Sequence, residues 1–226
     1  MPMAAHTLPP PLRDGESLSS REFLRRWEAM PDLKHAELIE GIVFMPSPVH
    51  RPHSRFHFIL SSWLGSYERA TPGCEGGSEG SWLMGSHNVP QPDLTLRILP
   101  GRGGQSRDEG EYTAGAPELL VEVAASSQAR DLGVKWKLYE RKGVQEYLIA
   151  LAGKRQVSWN LWTPGGFRPF DPAADGIFRS QCFPGLWLDP EALYNQDLPR
   201  LFAALDRGLA TEEHAAFVER LAGPGR

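Results

Sequence analysis

Asp93, Glu122 and Lys135 are the residues of this chain whose types and spacing could do chemistry. Two carboxylates that meet can share a hard divalent cation, because Mg²⁺ prefers oxygen ligands and binds through one or two carboxylates together with water and substrate phosphate. A lysine beside them supplies positive charge where a cleaved phosphodiester gathers negative charge. The series predicts a metal-dependent nuclease with Mg²⁺ as cofactor, Mn²⁺ as its substitute, and Asp93 and Glu122 as the metal ligands. The elements that must position these groups are short. In Pro92-Asp93-Leu94-Thr95-Leu96-Arg97-Ile98, alternation puts Leu94, Leu96 and Ile98 on one face and Asp93, Thr95 and Arg97 on the other, so Asp93 opens a half-buried strand. Leu119 to Ala124 is apolar on both parities except at Glu122, which sets a carboxylate inside or at the end of a buried strand, where it needs a partner. From Asp131 to Lys142, Leu132, Trp136 and Tyr139 fall at helical spacing, and Gly143 suits a left-handed cap. Lys135 and Tyr139 are then one turn apart on one side of a helix. The same residues also admit a plainer role, a structural glutamate paired with Arg97 and a solvated lysine.

Around the series, Ala36-Glu37-Leu38-Ile39-Glu40-Gly41, Met45-Pro46-Ser47-Pro48, Gln91-Pro92-Asp93, Pro117 to Val123, Asp131 with Lys135, and Tyr139 with Gly143-Val144-Gln145-Glu146-Tyr147-Leu148 occur in one order. That order resembles the Uma2 family (DUF820), restriction endonuclease-like domains of the PD-(D/E)XK nuclease superfamily, over about residues 19 to 195. The resemblance implies an α/β fold with an αβββαβ core on a mixed central sheet, and Mg²⁺-dependent hydrolysis of nucleic acid, DNA first. The family's Asp falls on Asp93 and its second acid on Glu122. The lysine two residues after that acid is missing, with Ala124 in its place, and the displaced helical lysine falls on Lys135. The early glutamate falls on Glu37, with Glu40 where the motif usually has Asp. His53 matches a histidine frequent at a helix start, and with Tyr139 it is expected at the edge of the site. Ala125-Ser126-Ser127 departs from the usual Ser-Pro-Ser.

Histidines supply the competing chemistry. His50, His53 and His57 cluster, and the one-turn spacing of the last two could chelate zinc, which makes a zinc hydrolase the alternative. The glutamate of a helical zinc-protease pair is absent. A third class is a nucleic-acid-binding or interaction module of the same fold with little hydrolysis. Net charge is −4, so any DNA surface must be local. Arg130, Lys137, Arg141 and Lys142, followed by Lys154-Arg155, form either a phosphate-contacting stripe or a solvated helix face.

A chain of 226 residues, 41% hydrophobic and 23% charged, fits a globular enzyme. It contains no bilayer-spanning run, and Met1 to Pro11 lacks an apolar signal core, which points to the cytoplasm. Cys74 and Cys182 have no CxxC spacing and read as reduced thiols. Residues 1–17 read as a flexible extension, 18–195 as the nuclease domain, and 196–226 as a C-terminal helical appendage that covers the core or a second subunit in a homodimer. Within the domain we expect a helix from Ser19 with a capping box, a strand pair about Gly41, and a helix with Phe56, Ile59, Leu60, Trp63, Leu64 and Tyr67 inward. Gly73 to Gly80 reads as a turn, residues 100–110 as an exposed loop near the open end of the sheet, and Glu146 to Leu161 as one of several hairpins.

Overall fold

The structure, a computed structural model, describes residues 8–45, 48–124 and 129–223, with the backbone alone for 129–132. Ser19 starts α1 (Ser20–Glu28) by accepting the Glu22 amide, but Glu22 turns to Arg25 and Arg26 and closes no capping box. A hairpin of β1 (Glu37–Ile39) and β2 (Ile42–Phe44) follows. Its turn residues Glu40 and Gly41 both have positive φ, 52° and 77°, which matches the twist of the flanking strands. Next come α2 (Arg51–Ala70), β3 (Cys74–Ser78), β4 (Trp82–Leu83) and β5 (Leu94–Ile98), then a hairpin of β6 (Arg107–Glu109) and β7 (Tyr112–Ala114). After it run β8 (Leu119–Ala124), α3 (Ala129–Lys142), β9 (Glu146–Leu151), β10 (Gln156–Thr163) and β11 (Gly166–Phe170). The chain closes with β12 (Phe178–Arg179), β13 (Trp187–Leu188), α4 (Pro190–Asn195), α5 (Leu198–Leu209) and α6 (Glu212–Ala222).

Six strands form the central sheet in the order β11-β10-β9-β8-β5-β3. Only β8 and β9 run parallel, joined by α3 as their crossover, so the sheet is mixed. The series α2-β3-β5-β8-α3-β9 is the expected αβββαβ core. One face of the sheet packs on the apolar stripe of α2, and Leu201, Leu205, Phe217 and Leu221 of α5 and α6 close the same core. The other face carries α3 and the small β4-β7-β6 sheet, with Tyr139, Tyr147, Leu120 and Trp82 in its core.

Several local expectations are corrected. Gly73 to Gly80 contains the edge strand β3, because its glycines answer to close neighbours and not to a turn. A Cβ at Gly76 would lie 2.9 Å from Glu68 Oε2, and one at Gly77 would lie 2.7 Å from Thr95 Oγ1. β5 begins one residue after Asp93, and its Thr95 and Arg97 face is buried, since β6 and β7 cover it. Arg97 therefore pairs with Glu75 and Asp108, not with Glu122. Residues 100–110 leave the far end of β5 from Asp93, and they end in β6 instead of forming one exposed loop. Part of the N-terminal extension is packed: Leu12 is buried, and Gly15 donates to Val43 O.

The C-terminal region forms three helices and belongs to the main core. Gly208 of α5 lies against Gly185, where a Cβ would meet Gly185 O at 2.2 Å and Trp187 Cγ at 2.8 Å. Gly208→Ala should destabilise the domain by about 1–3 kcal/mol, since backbone and indole must both shift. Urea unfolding should show one transition at a lower midpoint. A separate early transition confined to the C-terminal helices would instead mark them as an appendage that unfolds on its own.

Candidate active site

Five segments bring the charged groups together near the carboxyl end of β8. Glu122 sits in a strand with every side chain buried. Its Oε1 accepts from Lys135 Nζ at 3.0 Å and from the Tyr139 hydroxyl at 3.1 Å, both from α3. One turn of helix brings both donors to one face, as the i, i+4 spacing requires. Glu37 of β1 completes the group. Its Oε1 lies 2.9 Å from Lys135 Nζ and also accepts the Gln91 amide at 2.7 Å.

Asp93 is held from both sides. Its Oδ2 accepts the backbone amide of Val123, the residue after Glu122, at 2.6 Å, so one hydrogen bond ties the two acids into register. On the other side, His53 Nε2 lies 3.2 Å from the same oxygen. His57 Nε2, one turn further along α2, lies 3.0 Å from the Asp93 backbone oxygen. Both acceptors are oxygens without a proton to give, so each histidine donates through Nε2, an assignment made from the partners. His53 Nδ1 is buried without a partner among the described residues.

The electrostatics separate the two acids. Burial pushes the Glu122 carboxyl up to about 8, opposed by Lys135 and reinforced by Asp93 and Glu37. Burial also works against the charge of Asp93, but the His53 bond and charge, the Val123 amide and Lys135 hold it below the ordinary carboxylate range. Its bond to Asp93 raises His53, outweighing burial. Burial works against the Lys135 ammonium, yet Glu122 and Glu37 keep its pKa above the ordinary lysine value.

These carboxylates fit a hard cation. Among the described residues, the hydrogen bonds to these two acids fall on Asp93 Oδ2 and Glu122 Oε1. Three acids also outnumber the one lysine that meets Glu37 and Glu122. No group of three or more His, Cys, Asp or Glu among the described residues forms a ready metal cage. A cation held here would draw on two carboxylates and complete its shell with water and phosphate, as Mg²⁺ commonly does. The proposed zinc cluster does not assemble. His50 is exposed at the cap of α2, and His53 and His57 turn their Nε2 atoms to Asp93.

The sequence signal for His57 was its one-turn spacing from His53, and the structure uses that spacing to grip a single aspartate. The Gln91 and Val123 amides had no side-chain signal. The basic residues do not form one stripe. Lys137 is exposed, and Arg141 pairs with Glu40. Lys142 lies at the opposite end of α3, while Lys154 and Arg155 sit in the β9–β10 turn at the acid end. The Arg130 side chain and Ala125-Ser126-Ser127 lie outside the described residues.

An αβββαβ core on a mixed sheet, with acids at the start of one central strand and inside the next, defines a restriction endonuclease-like protein. The crystal structure of "a putative nuclease belonging to DUF820" from Anabaena variabilis ATCC 29413 is similar, with a TM-score of 0.57 at 16% identity, covering 74% of this chain and 96% of that one. At that identity the likeness shows the fold. The sequence profile of the Uma2 family, described as "Putative restriction endonuclease", matches residues 21–191, and the chain belongs to this family. No curated protein matches it.

Proposed function

We propose that the protein is a Mg²⁺-dependent endonuclease that hydrolyses phosphodiester bonds in DNA. The observation that carries this reading is the convergence of Glu122, Glu37 and Lys135 beside an Asp93 tied to the same strand. Asp93 and Glu122 would hold the ion, which when bound polarises the phosphate and acidifies a water. Lys135, fixed by two carboxylates and charged at neutral pH, sets its ammonium beside the negative charge that grows on the phosphate oxygens. Glu37 and Tyr139 position that ammonium and the Glu122 carboxylate, so neither needs to reorganise during reaction. His53 and His57 fix the Asp93 side chain and backbone together.

Purified protein should nick supercoiled plasmid with Mg²⁺ or Mn²⁺, and the activity should vanish in chelator and in Asp93→Ala. Plasmid cut equally in chelator, or by Asp93→Ala, would overturn the proposal. So would stoichiometric zinc with no nicking.

A further inference from the structure

Two arginines at the acid end of the sheet are fixed by partners that carry no charge. Arg55 of α2 donates from Nε to Gln196 Oε1 at 3.1 Å, and Arg155 of the β9–β10 turn donates from Nη2 to Asn195 Oδ1 at 2.5 Å. Consecutive residues at the end of α4 thus hold one guanidinium from the helix and one from the sheet. Both acceptors are neutral amides, so these contacts orient the arginines and cancel neither charge. Arg55 also lies over the exposed Phe58 ring, 5.9 Å from its centroid, a further uncharged support. The backbone agrees. Arg155 and Gln196 have φ of 50° and 54°, in the left-handed region that glycine enters at less cost. Strain kept at both positions points to what their side chains do.

Position and charge decide what fits. Arg55 lies between His53 and His57 in sequence but roughly 200° around α2 from each, so it leaves the helix on the flank turned from Asp93. Glu122 is level with Ile149 of β9, a strand that ends at Leu151. The turn beyond Leu151 therefore lies roughly 10–15 Å from Glu122, one or two strand spacings across and a few residues along. That span corresponds to roughly three or four phosphates at about 3.4 Å of rise each. Arg51, one turn before Arg55 on the same flank, and Lys154 add two exposed cations. Of the acids along α4, Asp189 pairs with Arg200 and Asp197 accepts the Arg200 amide, which leaves Glu191 against four cations. An anion is favoured, and a guanidinium presents the donor fork that a phosphate matches. We propose that Arg55 and Arg155 clamp a backbone phosphate of the nucleic-acid strand a few nucleotides from the cut, and so set its course across the end of the sheet. This rests on the nuclease reading above.

The test is a fluorescence-anisotropy titration of the full chain with a short labelled DNA duplex in chelator, over a range of salt. The double variant Arg55→Gln, Arg155→Gln should bind roughly tenfold more weakly and flatten the slope of log affinity against log salt by about 1–2, as for one or two lost phosphate contacts. Arg155→Gln alone, in an exposed turn, should flatten it by about half as much. Arg55→Lys with Arg155→Lys keeps the charge and should hold the wild-type slope. Arg168→Gln is the control, exposed and paired with Leu161 toward the other end of β10, and should change neither quantity. Melting temperatures establish that each variant is folded. A slope unchanged in the glutamine variants, or flattened as much by the lysine variant or by Arg168→Gln, would overturn the clamp. So would displacement of the duplex by inorganic phosphate beyond that by chloride at equal ionic strength, which marks a site for the free ion. Plasmid nicking is read separately. Nicking by the wild type with an unmoved slope in the glutamine variants removes the clamp alone, and a flattened slope without wild-type nicking removes the nuclease reading alone.

Discussion

Glu122→Gln should lose metal-dependent cleavage by on the order of a thousandfold and yet melt higher than the wild type in chelator at pH 8. The carboxyl of Glu122 is held up to about 8, so between the ordinary carboxylate range and that value the folded protein keeps a proton that the unfolded chain has released. Stability therefore falls as pH rises through this window and levels off above it. Glutamine is neutral throughout and can still accept from Lys135 and Tyr139, so its advantage should be absent at pH 4 and full at pH 8. A gain of about 1 kcal/mol would raise the melting temperature by roughly 2–4 °C in a domain of this size. Asp93→Asn should lose cleavage as severely but shift stability the other way. Its folded pKa is lowered, so its contribution is present above the unfolded value and lost as pH falls through the folded one. The asparagine variant should melt below the wild type at pH 7 and converge with it in acid. Calorimetry in chelator at pH 4, 7 and 8, alongside plasmid nicking, measures both. A lower melting temperature for Glu122→Gln at pH 8 would make Glu122 an ion-pair partner of Lys135 and nothing more.

Lys135→Ala should cost cleavage on the order of a hundredfold or more while Mg²⁺ affinity holds or rises. The ammonium touches both Glu37 and Glu122, so its loss leaves two carboxylates without their cation, and the variant should also melt lower in chelator. Added Mg²⁺ should then recover more stability in the variant than in the wild type, because it meets a larger uncompensated charge. Titration calorimetry and melting with and without Mg²⁺ separate these effects from single-turnover cleavage. Lys137→Ala is the control, exposed and turned roughly 200° around the helix. If it harmed cleavage more than Lys135→Ala, the role given to Lys135 would be wrong.

The groups at this site were legible because each lies in a local pattern that its own element creates. An acid alone in an apolar strand asks for a partner, and a lysine one turn from a tyrosine can supply it. Features set by distant segments were not legible. β3 looks like a turn because its glycines record the nearness of Glu68 and Thr95, which no local pattern contains. The Thr95 and Arg97 face looks exposed because the strands that cover it come from residues 82–83 and 107–114. The basic series looks continuous in sequence, but α3 carries Lys142 away from the acids while β9 returns Lys154 and Arg155 to them. The histidine pair has the spacing of a chelate and serves instead to clamp one aspartate.

The order in which the chain is made has a consequence for this site. His53 and His57 reach Asp93 from α2, whose apolar stripe is buried partly by Leu201, Leu205, Phe217 and Leu221. Those side chains are made after Asp93, Glu122 and Lys135. Until they arrive, α2 lacks the packing that they supply and the clamp on Asp93 has a weaker base. A chain cut short before α5 thus carries every charged group of the site without the support that aims them.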